Sequence, residues 1–197
     1  MSYFTWHAQP GYWRDVTRHF PSDARMLDVG CGTAWIGDHF ANYTGVDASP
    51  EAVESARERG RNVLLGDADE PLPFPDASFD GVVLKDVLEH VSDPVGLVRE
   101  AYRVLAPSGL VFASSPDAQR WSWDDYTHHR PFTRKAYRLL FRDQGFDVEH
   151  VGYELVQPGT GIVSGWTRRK RRPTLLRAAG WLPVLRRNVW VLARRGA

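Results

Sequence analysis

The run Leu27-Asp28-Val29-Gly30-Cys31-Gly32-Thr33 constrains the fold of this chain more than any other segment. An apolar strand ends at Val29, and glycines at positions 30 and 32 let the backbone turn toward a helix and approach a ligand with no side chain between. A Gly-x-Gly turn by itself is equally an ordinary tight connection between strand and helix. Its context narrows the choice. Asp47 follows Asp28 by 19 residues, at the end of a second strand, where a carboxylate can accept hydrogen bonds from both hydroxyls of a ribose. Gly66-Asp67-Ala68-Asp69 closes a third strand and offers an acceptor for an adenine amino group. Three consecutive strand ends therefore converge on one nucleoside-shaped crevice, the place where open parallel sheets bind ligands.

The rest of the chain supplies the alternation such a sheet needs. A strand over Met26–Val29 is followed by a second short one ending at Asp47, and Ser49-Pro50-Glu51 opens a helix to about Arg59, stopped by Gly60. Asn62–Gly66 reads as the third strand, the proline-rich Pro71-Leu72-Pro73-Phe74-Pro75 as loop, and Phe79–Leu84 as the fourth strand. A helix from Asp93-Pro94 to Leu105 precedes a fifth strand, Leu110–Ser114; Thr133 then caps a helix to about Asp143. Two last strands span Asp147–Tyr153 and Asn188–Ala193. Parallel neighbours need crossover helices, so this order predicts a doubly wound α/β sheet with helices on both faces.

At 197 residues the chain fits one domain: an aromatic N-terminal helix or lid over 1–24, a core over 25–154, a basic insert over 155–187 and a final strand over 188–197. A net charge of +1 hides a marked asymmetry, because residues 155–197 carry ten bases and no acid. With its apolar residues, the 168–187 stretch suits either peripheral contact with an anionic membrane or ordinary packing with arginines outward. No signal-like leader or long apolar segment is readable, so a cytoplasmic location, peripheral at most to a membrane, is expected. Cys31 is the only cysteine, which excludes an intrachain disulfide and a multi-cysteine metal site.

The motifs Leu27–Thr33, Gly45-Val46-Asp47-Ala48-Ser49, Gly66-Asp67-Ala68, Leu72–Asp80, Val87-Leu88-Glu89-His90-Val91 and Arg103–Leu110 together resemble the class I methyltransferases. The resemblance is to the broad small-molecule group that includes ubiquinone and menaquinone biosynthesis enzymes. It implies a seven-stranded, mostly parallel sheet whose last strand is antiparallel, and S-adenosylmethionine as cofactor with S-adenosylhomocysteine as product. It further implies that Asp28, Gly30, Cys31 and Gly32 lie along the methionine portion, Asp47 and Ala48 at the ribose, and Asp67 and Ala68 at the adenine. Lys85 and Asp86 would face the sulfonium and amino end, with His90 nearby. Trp35 stands where a nicotinamide dehydrogenase needs its third glycine, and packs on the cofactor or fills core. No phosphate-binding Gly-x-x-x-x-Gly-Lys-Ser/Thr loop occurs.

The segment from Ser114 to Thr133 gathers aromatics, carboxylates and two histidines at the same sheet edge. It predicts an acceptor pocket using Trp121 and Tyr126, with Arg130 for an anionic group and His128 or His129 as base, oriented by Asp124 or Asp125. The same histidines read equally as lid-stabilising. Trp6 and Tyr12 are expected to cover the site from the N-terminal arm. Glu89 and His90, with Asp93, have donor types that could hold a divalent ion, but the segment reads as a cap over the cofactor and no metal is assigned. The expected reaction is methylation of a small-molecule or lipid-linked acceptor on oxygen. The alternatives are an RNA or protein methyltransferase and a non-catalytic cofactor-binding partner. No nucleic-acid-binding module is readable, which disfavours RNA, and no oligomeric state is assigned.

Overall fold

A computed structural model describes residues 14–155 and 186–197. Trp6, Tyr12 and most of the basic insert lie outside the described residues. The strands are β1 (Arg25–Val29), β2 (Asn42–Asp47), β3 (Val63–Leu65), β4 (Phe79–Lys85), β5 (Leu105–Pro116), β6 (Phe146–Leu155) and β7 (Arg186–Arg195). They form one sheet in the order β3-β2-β1-β4-β5-β7-β6, and only β7 runs against its neighbours. The helices are α1 (Arg14–Thr17), α2 (Pro50–Glu58), α3 (Pro94–Val104) and α4 (Arg134–Asp143).

Alternation along the strands creates two cores. Leu27 and Val29 of β1, with Val82 and Leu84 of β4, face a cluster built with α3 and α4. Met26 and Val83 point the other way, toward Val16, Ile36, Phe40, Tyr43 and Val53. A parallel sheet buried on both faces follows, as the strand-helix alternation predicts. The predicted helix starts hold as well: Ser49, Asp93 and Thr133 each accept a hydrogen bond from a backbone N–H three residues on.

Two elements differ from the sequence expectation. The glycine loop leads into a short 3-10 helix, Trp35–His39, instead of a regular α-helix. Ala34 before it takes a left-handed conformation (φ 60°), and Gly37 lies so close to Tyr43 that a Cβ there would meet the ring at 2.8 Å. Aromatic packing thus sets this segment's path in place of helical periodicity. The fifth strand begins at Leu105, directly where α3 ends, because Leu105 already pairs with Phe79 before the ladder shifts register.

Chain order reverses between β1 and β4: β2 and β3 extend to one side and β5 to the other. Such a switch point opens a crevice at the carboxyl ends of the two central strands. Nearby, Gly81 of β4 faces Met26 and Phe20, and a Cβ there would come within 2.5 Å of the Met26 sulfur. A Gly81→Val variant should therefore lose about 1–3 kcal/mol of stability through overpacking, read as a lower urea midpoint; an unchanged midpoint would show that the sheet can shift to accommodate it.

Candidate active site

The glycine loop is held by main-chain and carboxylate bonds. Gly30 and Cys31 donate their N–H groups to the Val46 carbonyl, at 2.8 and 3.1 Å. Gly32 donates to Asp47 Oδ2 at 2.7 Å, while Asp47 Oδ1 accepts from the Ser49 N–H at 2.9 Å. Gly30 has φ +71°, and a Cβ on it would strike the Val87 side chain at 2.9 Å, so a larger residue would meet both strain and collision.

A cavity of about 590 Å³ opens against this loop, a size suited to a metabolite-sized ligand. Every cofactor residue expected from the sequence lines it: Asp28, Gly30, Cys31, Gly32 and Trp35 from the loop region, Asp47 and Ala48 after β2, Asp67 and Ala68 after β3, and Lys85, Asp86 and His90 after β4. Trp35 is braced by Arg59, whose guanidinium lies 3.7 Å from the ring centre. Among the described residues Lys85 is the only lysine or arginine in the wall, against Asp28, Asp47, Asp67, Asp69 and Asp86, so the cavity favours a cationic ligand.

The acceptor-side residues separate. Tyr126, 97% exposed, stands at the mouth of the cavity, whereas Trp121, 43% exposed, and Arg130 do not line it. Neither His128 nor His129 reaches the wall; His129 is exposed, and its N–H donates to the Glu89 carbonyl at 2.7 Å. His128 packs behind His90, edge to face with ring centres 4.8 Å apart, and its Nδ1 lies 2.6 Å from the Ser122 carbonyl.

The imidazole at the cavity is His90, and its orienting partner is Thr127, a wall residue the sequence reading did not single out. Thr127 Oγ1 donates to Asp125 Oδ1 at 2.7 Å, so toward His90 Nδ1, 3.1 Å away, it acts as an acceptor. The Thr127 carbonyl faces the same nitrogen at 3.3 Å. These contacts hold the proton on Nδ1 and leave the lone pair on Nε2. Burial lowers the pKa of His90 below its usual value, with the neighbouring His128 adding to the effect. Asp125 thus reaches both imidazoles, His90 through Thr127 and His128 directly, with Oδ2 3.7 Å from Nε2. Proximity in sequence to the Asp124-Asp125 pair hid this arrangement, because His90 belongs to a different loop.

Asp28 lies under the loop, 3% exposed, and accepts from the Tyr43 hydroxyl at 2.8 Å. Burial pushes its carboxyl up to about 7, against the lowering effect of the Tyr43 hydrogen bond. A carboxyl raised above its unfolded value, ~3.9, stabilises fully below that value, and the stabilisation is lost as pH rises through about 7. The stability of the wild type relative to Asp28→Asn should accordingly fall by up to about 4 kcal/mol between pH 4 and pH 8 in urea melts; a pH-independent difference would contradict this environment.

Residues 27–113 match the sequence model of a family described as methyltransferase domain. The demethylmenaquinone methyltransferase of Tropheryma whipplei is 33% identical over 124 residues, covering 59% of this chain and 48% of that protein. The ubiquinone biosynthesis O-methyltransferase of Xanthomonas oryzae is 33% identical over 102 residues, covering 47% of this chain and 43% of that protein. The chain thus matches about half the length of these curated relatives. In fold it is similar to an S-adenosylmethionine-dependent methyltransferase from Mesorhizobium loti, with TM-score 0.69, 23% identity and coverage of 93% and 97% of the two chains. Residues 27–113 thus carry a methyltransferase domain, and the seven-stranded sheet with one antiparallel strand and a cavity at its switch point is the fold of class I S-adenosylmethionine-dependent methyltransferases.

Proposed function

We propose that this domain transfers a methyl group from S-adenosylmethionine to a hydroxyl of a small-molecule or lipid-linked acceptor. The carrying observation is the convergence of the glycine loop, Asp47 and the Gly66–Asp69 turn on one acid-walled cavity with an oriented histidine, His90, in its wall. Bound there, S-adenosylmethionine supplies a methyl group on a cationic sulfonium, open to in-line displacement.

The residues have separable tasks. Asp47 accepts from the ribose hydroxyls with the lone pairs left after its bonds to Gly32 and Ser49, and Asp67 with Ala68 borders the adenine. Gly30 and Gly32 give the methionine portion close access to the backbone. The carboxylates of the wall favour the positive charge of sulfonium and ammonium. His90 accepts the acceptor's proton at Nε2 while Thr127 and Asp125 hold its ring, and Tyr126 narrows the mouth against water. His128 and His129 do not meet the cavity wall, which favours His90 over either as the base. The ubiquinone biosynthesis O-methyltransferase relative supports transfer to oxygen, and both quinone-related relatives support a small-molecule acceptor. No helix among the described residues is long and apolar enough to cross a membrane, and the basic 168–187 sequence supports peripheral contact with anionic lipid.

Incubation of cell extract with methyl-labelled S-adenosylmethionine should place label in a small-molecule or lipid fraction; label confined to RNA or protein would overturn this acceptor class. Once an acceptor is in hand, His90→Gln should lower kcat by about 10²- to 10⁴-fold with little change in cofactor affinity. The wild-type rate should rise with pH through a value below the ordinary histidine range and then level off. A variant with wild-type rate and pH profile would remove His90 from the reaction.

A further inference from the structure

One carboxylate of the cavity wall is held from three strands of the sheet. Asp86 follows β4, and its φ of 53° is left-handed, a conformation that residues with side chains rarely adopt and that persists only where the surroundings enforce it. Its N–H donates to the Ser114 carbonyl of β5 at 2.7 Å. Oδ1 accepts from the Ser114 hydroxyl at 3.2 Å and from Asn188 Nδ2 of β7 at 3.1 Å, while Oδ2 lies 3.4 Å from Lys85 Nζ. Lys85 Nζ also reaches Ser114 Oγ at 3.4 Å. Ser114 and Asn188 are buried and neither lines the cavity, so both serve Asp86 from behind. Asn188 pairs with Pro116 at the carboxyl end of β5, and from there its amide meets the turn after β4.

Strand order indicates which part of the cofactor this carboxylate meets. With ribose at Asp47 and adenine at Asp67, the nucleoside lies over the ends of β2 and β3. The sulfonium is bonded to the 5′ carbon of the ribose, so the rest of the molecule extends across β1 toward β4, where Asp86 stands. Other acids nearby are engaged differently. Asp28 lies beneath the loop with the Tyr43 hydroxyl, and Asp69 Oδ1 accepts from the Ser92 N–H and hydroxyl and from the Asp93 N–H. Glu89, in the same turn as Asp86, is 1% exposed, does not line the cavity and has no hydrogen-bond partner on either side-chain oxygen. Burial pushes its carboxyl well above the usual range, which favours the neutral form.

We infer that Asn188, with Ser114, is a positioning residue that fixes the Asp86 carboxylate toward the sulfonium, and that this carboxylate sets how strongly the site prefers cationic S-adenosylmethionine to its neutral thioether product, S-adenosylhomocysteine. The two ligands differ by one methyl group and one positive charge, so a preference between them within one cavity is decided mainly by the charge nearest the sulfur. Two donors on Oδ1 and a constrained backbone remove the rotational freedom of Asp86, and a carboxylate already aimed needs no reorganisation when the ligand arrives. After methyl transfer the attraction is lost, and the product leaves from the contacts that held the cofactor. The inference rests on the cofactor placement proposed above and is independent of the acceptor; the affinity of an Asp47→Asn variant reports on that placement separately.

Isothermal titration of both ligands into the full chain gives the ratio of the S-adenosylhomocysteine dissociation constant to that of S-adenosylmethionine. Asp86→Asn, which keeps the size of the side chain, should lower this ratio about tenfold, and Asn188→Leu and Ser114→Ala each about threefold, the scale of one hydrogen bond. In the Asp86→Asn background Asn188→Leu should add no further change, because its effect passes through the carboxylate. A purely structural loss would weaken both ligands alike and leave the ratio at its wild-type value. Urea melts identify the folded variants, and Ser114→Ala carries the same test should Asn188→Leu fail to fold. A wild-type ratio in Asp86→Asn or in the folded positioning variants, or an undiminished effect of Asn188→Leu without the carboxylate, would overturn the assignment.

Discussion

The Asp47 carboxylate holds the cofactor side of this domain together. One oxygen takes the Gly32 N–H and the other the Ser49 N–H, so the glycine loop after β1 and the start of α2 are pinned to a single side chain at the tip of β2. Both N–H groups belong to turns that would otherwise have to find water. The β1–β2 register, with Val29 opposite Val46, sets the distance at which this bridge closes. Tight sterics reinforce it: a Cβ on Gly45 would meet the Cys31 sulfur at 2.6 Å, and one on Gly30 would meet Val87. The loop is therefore shaped from three sides by β2, the turn after β4 and its own glycines.

On this frame the two halves of the site have different origins. The cofactor wall comes from consecutive strand ends of one sheet edge, whose spacing follows from strand geometry and parallel register. The wall that bears His90 comes from contact between two loops far apart in sequence, joined where the Glu89 carbonyl takes the N–H groups of His129 and Arg130. That contact turns His128 inward and His129 outward. It also sets Thr127 against His90, completing a chain from Asp125 through Thr127 to the imidazole.

This difference explains what the sequence could reveal. Strand ends at Asp28, Asp47 and Asp67 were readable because strand, glycine turn and acid recur in order, and caps at Ser49, Asp93 and Thr133 were readable because capping is a local interaction. The short 3-10 helix after the loop was not readable, because Tyr43 packing on Gly37 is a tertiary contact that overrides helical spacing. That the sequence points to His128 and His129 as candidate bases while His90 lines the cavity has the same origin. His128 and His129 neighbour two aspartates in sequence, yet only the folded loop brings Asp125 to His90 through Thr127 as well as to His128. The unpartnered Glu89 carboxyl is invisible in sequence, since burial is a property of the assembled turn.

The central claim is that Asp47 both braces the glycine loop and holds the ribose of S-adenosylmethionine. Isothermal titration of this ligand into the Asp47→Asn variant tests it most directly, because the amide keeps the size of the side chain but removes its charge and one acceptor oxygen. The account predicts binding weaker than wild type by at least about thirtyfold, near 2 kcal/mol, in a protein that still unfolds cooperatively. Affinity equal to wild type would contradict it.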